Sequence, residues 1–119
     1  MLQPHIQEII SMPETALVVL TTLPDRQTAI HLCETLVTEK LAACVNILPE
    51  ITSIYRWDGK IQRDTEYQLV IKSHQQCYRA LQQRIHQEHP YEVPEILALT
   101  VTDGLPEYLE WIEQCTQKS

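Results

Sequence analysis

The chain has 119 residues, of which 44% are hydrophobic and 21% charged, and its formal net charge is −7 at pH 7. These values are typical of one folded domain with its own hydrophobic core, and they exclude a disordered chain. The acidic balance argues against nucleic acid as a partner, because binding to phosphates requires clustered Lys and Arg side chains.

The sequence contains no run of eighteen apolar residues and no basic N-terminal segment followed by an apolar one. We therefore expect no membrane span, no secretory leader and a cytoplasmic location. The cysteines are widely spaced, without a Cys-x-x-Cys pair, which predicts packed free thiols rather than a zinc site or a disulfide framework. They are Cys33, Cys44, Cys77 and Cys115.

The first half of the chain begins without a sustained pattern over residues 1–13, which we expect to be a flexible N-terminal extension of a single domain at 14–119. An apolar, β-branched run at 16–20 predicts a buried strand. Pro24-Asp25 predicts the start of a helix, because apolar residues recur at helical spacing beyond it. Residues 41–48 predict a second strand that ends at Pro49.

The next segment predicts a long β-hairpin, because strands at 51–57 and 60–72 flank Asp58-Gly59, a pair suited to a type I′ turn. That turn places Trp57 opposite Lys60, Tyr55 opposite Gln62, and Ile51 opposite Glu66. The returning strand would reach about 40 Å, longer than a domain of this size needs, so we expect the tip to project and to lie against another subunit. The alternative is a strand broken by a bulge near Arg63-Asp64.

In the second half, Ser73 to Gln76 form a predicted capping box for a second helix, which ends at His89-Pro90. Residues 95–102 predict a last core strand, and Gly104-Leu105-Pro106 lead into a C-terminal helix. The order strand, helix, strand, strand, helix, strand, helix predicts an α+β fold, because helical crossovers are right-handed. The simplest form is a ferredoxin-like βαββαβ sandwich with a long β-hairpin and a C-terminal helix.

The segment 89–95 is the strongest candidate for a site, since its two prolines hold His89, Tyr91 and Glu95 in a rigid frame. The alternative is a stiff turn in which Tyr91 packs and His89 caps a helix end. His86 and His89 are three residues apart and could meet a metal ion from one helical face, although two ligands alone do not make a site.

No nucleophile–base motif, Walker loop or Gly-x-Gly-x-x-Gly motif occurs, so we expect a protein that binds rather than catalyses. An acylphosphatase-type phosphate loop would need glycine and an arginine after the first strand. Residues 21–26 contain no glycine, and Asp25 would repel phosphate.

Five segments together resemble the CutA family of divalent-cation-tolerance proteins, in the right order over residues 15–114. They are Lys-Leu-Ala-Ala-Cys-Val-Asn at 40–46, Tyr-Arg-Trp-Asp-Gly-Lys-Ile at 55–61, Leu-Val-Ile-Lys-Ser at 69–73, His-Pro-Tyr-Glu-Val-Pro-Glu at 89–95 and Tyr-Leu-Glu-Trp-Ile at 108–112. The resemblance implies a ferredoxin-like homotrimer without enzymatic activity that acts in tolerance of divalent metals such as copper. It also implies similarity to the PII signalling proteins, so the alternative function is binding of a small-molecule effector between subunits.

The resemblance further implies a ligand cleft and a metal ligand. The implied cleft residues are Tyr55, Trp57, Lys60, Glu66, Lys72, Tyr91 and Glu95, and the implied metal ligand is His89. No cofactor is expected to be obligatory, and Cu²⁺ or another divalent cation is the candidate ligand. The sequence departs from some relatives at Thr21, where they have a cysteine, and at Glu88, where they have a histidine.

Overall fold

The structure is a computed structural model that describes residues 15–117, so the predicted extension at 1–13 lies outside the described residues. The elements in chain order are β1 Ala16–Leu23, α1 Arg26–Thr38, β2 Cys44–Trp57, β3 Lys60–His74, α2 Tyr78–Glu88, β4 Leu97–Thr100 and α3 Pro106–Cys115. A short 3-10 turn, Gln75–Cys77, joins β3 to α2.

The four strands form one sheet in the order β2-β3-β1-β4, and every neighbouring pair is antiparallel. The predicted order of strands and helices, followed by a C-terminal helix, is therefore confirmed, with the predicted strands at 41–48 and 51–57 joined in the single strand β2. The core lies between one face of this sheet and the helices α1 and α2. Alternate residues of β1 and β3 point into that core because side chains of a strand alternate between its two faces. Its fully buried members include Val19, Leu23, Leu69, Ile71, Leu36, Leu81 and Ile85.

The hairpin forms as predicted, with Trp57 opposite Lys60, Tyr55 opposite Gln62 and Ile51 opposite Glu66. Asp58 and Gly59 have φ angles of 52° and 74°, and two successive positive values are what a type I′ turn requires. Glycine adopts such an angle without the steric cost that a Cβ brings. The hairpin is thus fixed by its turn residues.

The predicted end of the second strand at Pro49 and the alternative bulge at Arg63-Asp64 are both wrong. β2 runs without interruption from Cys44 to Trp57, and its register shifts between Leu48 and Ile51, where Glu50 has a φ of 51°. β2 is an edge strand, so the missing N–H of Pro49 is tolerated there. Because of this bulge, the same strand pairs with β3 both in the central sheet and in the hairpin.

The predicted capping box at Ser73 is also wrong. β3 continues to His74, and α2 begins only at Tyr78. The Ser73 hydroxyl donates to the carbonyl of Leu41 at 2.7 Å, and His74 Nδ1 accepts from the N–H of Gln76 at 3.3 Å. Ser73 therefore ties the sheet to the end of α1, and a histidine caps the turn.

The second face of the sheet is only partly covered. At one end α3 packs its buried Ile112 against Ala16 and Ala43. β4 is four residues long rather than the eight predicted, and it forms one edge of the sheet. Its Leu97 and Leu99 are 55% and 51% exposed, although both carry apolar side chains. None of the helices within residues 15–117 is long and apolar enough to cross a membrane.

Candidate functional site

A cleft of about 770 Å³ opens where the hairpin meets the segment that follows α2. Its walls come from β1, β2, β3 and residues 91–95. The lining residues are Thr22, Ser53, Ile54, Tyr55, Trp57, Glu66, Tyr91, Glu92, Val93 and Glu95. The volume is that of a small-molecule site.

His89 anchors the segment behind the cleft. It ends α2 with an extended backbone (φ −78°, ψ 136°), because the following proline disfavours helical angles at this position. The imidazole is only 8% exposed; Nε2–H donates to the carbonyl of Thr22 at 2.7 Å, and Nδ1 accepts from the N–H of Tyr91 at 3.1 Å. These two bonds define a neutral tautomer, and burial lowers the pKa of His89 below its ordinary value.

Tyr91 closes the cleft onto the sheet. Its hydroxyl donates to Oε2 of Glu66 at 3.0 Å, and its ring lies 4.8 Å from the ring of His89 between centroids. Burial, reinforced by the hydrogen bond to Glu66, raises the pKa of Tyr91 to about 12. Glu66 is only 7% exposed, so this phenol stabilises a carboxylate that has little contact with water.

A second tyrosine pairs with a carboxylate along the hairpin. The hydroxyl of Tyr55 donates to Asp64, which raises the pKa of Tyr55 above its ordinary value. Asp64 is directly opposite Ser53 in the register, so it occupies the same face as the cleft residues of β2. The pairs Tyr55–Asp64 and Tyr91–Glu66 therefore lie along the same face of the hairpin.

The structure brings together five of the seven residues that were predicted to line the cleft, namely Tyr55, Trp57, Glu66, Tyr91 and Glu95. The two lysines, Lys60 and Lys72, are not among the lining residues. The ammonium of Lys72 donates to Asn46 on the neighbouring strand, and Lys60 stands at the hairpin tip opposite Trp57.

Sequence reasoning did not include five of the lining residues, which are Thr22, Ser53, Ile54, Glu92 and Val93. Ser53 could have been found, because it precedes Tyr55 and Trp57 at the two-residue period of a strand. Glu92 and Val93 lie inside the segment already singled out. Thr22 carries no sequence signal, since its place depends on how that segment crosses the end of β1.

The residues considered for metal binding are engaged in other contacts. His86 Nε2–H donates to the carbonyl of Glu92 at 3.1 Å, and Glu88 forms an ion pair with Arg84 at 3.0 Å. Within residues 15–117 no group of three or more His, Cys, Asp or Glu side chains is arranged to hold a metal ion. His89 would have to give up one of its two hydrogen bonds to coordinate a metal.

The described residues thus form an α+β domain with a four-stranded antiparallel sheet and a cleft beside a long hairpin. Residues 17–115 match the model of the CutA1 divalent ion tolerance protein family, and the chain belongs to that family. A relative called divalent-cation tolerance protein CutA, from Thermus thermophilus, is 46% identical over 99 residues, which cover 83% of this chain and 96% of that protein. A chloroplastic protein CutA from Arabidopsis thaliana is 44% identical over 102 residues, 86% of this chain. This chain spans only 56% of the Arabidopsis protein's length.

Solved structures agree with this assignment. The divalent cation tolerance protein (Cut A1) from Thermus thermophilus superposes with a TM-score of 0.84 at 44% identity, over 86% of this chain and 99% of that one. CutA1 from Oryza sativa superposes with a TM-score of 0.86 at 40% identity, over 92% of this chain and all of that one. The α+β fold that residues 15–117 form, with a four-stranded antiparallel sheet and three helices, is thus that of CutA1 structures.

Proposed function

We propose that this chain is a non-enzymatic, homotrimeric binding protein of ferredoxin-like topology that acts in tolerance of divalent cations. One observation carries the proposal: a cleft of about 770 Å³, fixed by the bonds from Tyr91 to Glu66 and from His89 to Thr22, in a chain whose relatives are called divalent-cation tolerance proteins. Binding of a ligand at this cleft would couple the protein to the metal response.

The exposed apolar face of the sheet supports the homotrimer. Leu97 is directly opposite Leu20, and Leu99 directly opposite Val18, so these four side chains share the face that α1 and α2 do not cover. Exposed apolar surface of this kind marks protein–protein contacts. Light scattering on the eluting protein should give three times the chain mass of 13.8 kDa. A monomer at micromolar concentration would contradict the proposed assembly.

Metal binding is proposed to be weak, because it requires rearrangement of His89. Titration with Cu²⁺ should show a modest affinity that decreases in His89→Gln. The matched control is His31→Gln, since His31 is exposed on α1 and does not line the cleft. Equal curves for the wild type and both variants would remove His89 from the metal site.

The alternative function is PII-like binding of a small-molecule effector, and the lining of the cleft favours it. Aromatic and apolar side chains surround a few polar groups, which is the usual composition of an organic ligand site. A metabolite screen by thermal stabilisation tests this alternative, because a ligand that binds only the folded state raises its stability. The cytoplasmic location stays a prediction.

A further inference from the structure

The charged side chains that line the cleft of the single chain are all acidic, and Lys60, directly opposite Trp57 at the hairpin tip, is outside this lining. Glu66, Glu92 and Glu95 line the cleft, and no Lys, Arg or His is among its lining residues in the described part of the chain. Asp64 lies close enough to Tyr91 to raise the pKa of that phenol as well. An anionic ligand such as a nucleotide would meet repulsion here, whereas a cation would be attracted.

Glu66 is the most deeply buried of the carboxylates that line the cleft. It is 93% removed from solvent by its neighbours, since only 7% of it is exposed, and the phenol of Tyr91 is its hydrogen-bond donor. Within residues 15–117 Glu66 has no ion-pair partner; the two ion pairs of that region both belong to Arg84. A buried carboxylate whose hydrogen-bond donor is a neutral phenol would be stabilised further by a cation placed beside it.

Three aromatic rings surround the same space, and they specify what kind of cation fits. Tyr55, Trp57 and Tyr91 line the cleft, and Trp57 is 70% exposed in the single chain. Aromatic faces attract ammonium and guanidinium groups, with Trp the strongest of the three residue types. Such exposed rings also provide contact area for the apolar part of a ligand.

A bare divalent ion fits the cleft poorly by comparison. Ca²⁺ and Mg²⁺ require about six oxygen ligands converging at roughly 2.0–2.6 Å. The described residues contain no set of three or more acidic, His or Cys side chains arranged in that way. The carboxylates instead stand around about 770 Å³, which suits a large cation of low charge density.

We infer that the cleft binds an organic cation, an amine or quaternary ammonium compound with an apolar portion, whose charge pairs with Glu66 and whose body lies against Trp57. The inference rests on the proposed function, since it names the ligand class of the same cleft. A tolerance protein could hold the metal ion itself or respond to an organic ligand, and an organic cation in the cleft corresponds to the second kind.

The test compares three probes of nearly equal shape: 2-phenylethylammonium, neutral 2-phenylethanol and anionic phenylacetate. The full chain carries only two tryptophans, so 5-fluorotryptophan labelling gives two ¹⁹F resonances, Trp57 at the cleft and Trp111 in α3 as an internal reference. We expect the cation to shift the Trp57 resonance and to bind about tenfold more tightly than the alcohol. Phenylacetate should not bind.

Charge-removing variants complete the test. Glu66→Gln keeps an acceptor for Tyr91 and should abolish the preference for the cation over the alcohol. Glu95→Gln, at an exposed lining position, should reduce that preference without risk to the core. Glu34→Gln, on the exposed surface of α1, makes the same charge change outside the cleft and should leave binding unaltered.

Each remaining outcome overturns the inference in a distinguishable way. Equal or tighter binding of the alcohol or of phenylacetate refutes the cationic ligand and leaves a small-molecule cleft in place. A Trp57 shift with Cu²⁺ but with none of the three probes refutes the inference and retains the metal-binding proposal. No response to any probe or to Cu²⁺ removes both.

Discussion

The hydroxyl of Tyr91 donates a 3.0 Å hydrogen bond to Oε2 of Glu66, and this contact joins the segment after α2 to the centre of the hairpin's returning strand. The two residues are 25 positions apart in sequence. A nearly buried carboxylate therefore has its donor on a connecting segment rather than within the sheet. The position of that segment, and with it the shape of the cleft, depends on this bond.

Tyr91→Phe should destabilise the protein by about 1.5–3 kcal/mol, because Glu66 would stay buried after losing its charge-assisted hydrogen bond. Urea unfolding at a fixed protein concentration measures the change. Tyr108→Phe is the control, since the Tyr108 hydroxyl has no hydrogen bond within residues 15–117 and its ring stays on the surface of α3. Equal stability of the two variants would contradict a structural role for the bond.

The phenol of Tyr91 should also lose its proton at a higher pH than an ordinary tyrosine does. With its pKa raised to about 12 in the folded protein, against 10.0 ordinarily, the stability that its protonated form contributes is present below pH 10 and is lost as the pH rises toward 12. The phenolate absorbance of Tyr91 is measured as the difference between the wild type and Tyr91→Phe. A difference spectrum that titrates near pH 10 would refute the environment described for this residue.

His89 should make the fold sensitive to acid. Burial lowers its pKa below 6.5, so its contribution to stability is present above pH 6.5 and is lost as the pH falls, when the unfolded chain takes up the proton first. Protonation also removes the acceptor at Nδ1 that Tyr91 N–H uses. The wild type should therefore lose more stability than His89→Gln between pH 7 and pH 5. NMR titration of the His89 ring proton should give a pKa below 6.5.

The sequence predicted the hairpin well because its determinants are local. Asp58-Gly59 fix the turn, the turn fixes the register, and the register places Ile51 opposite Glu66. The bulge at Leu48/Ile51 was not predictable in the same way. Pro49 normally ends a strand, and it is accepted here only because β2 is at the edge of the sheet, a property of the assembled sheet order.

The candidate site was predictable only in part, because its contacts are distant in sequence. Lys72 shares a strand face with Glu66 but lies six residues farther along β3, roughly 20 Å at the rise of an extended strand. That distance places it beside Asn46 rather than in the cleft. Thr22 enters the cleft because His89 binds its carbonyl, and no local pattern encodes this contact.

Thr21→Val should stabilise the protein by about 1 kcal/mol. Thr21 is fully buried, and its hydroxyl has no hydrogen-bond partner in the described region, so valine of nearly equal shape removes a desolvated polar group without leaving a cavity. Thr116→Val is the matched control, and it should destabilise the protein. Thr116 is 1% exposed, and its hydroxyl donates to the carbonyl of Ile112 at 2.9 Å. Thermal unfolding measures both changes, and a lower midpoint for both variants would show that the Thr21 hydroxyl has a hydrogen-bond partner in solution.

Lys40→Gly should stabilise the protein by about 0.5–1 kcal/mol, through the backbone at the end of α1. Lys40 has a φ of 61°, and the N–H of Leu41 bonds to the carbonyl of Leu36 at 2.9 Å, which is the Schellman arrangement that favours glycine at this position. Relief of the left-handed strain exceeds the entropy that glycine adds to the unfolded chain. Lys40→Ala removes the same charge while keeping a Cβ, so its stability should match the wild type. A gain in Lys40→Ala equal to that in Lys40→Gly would assign the effect to charge rather than to backbone conformation.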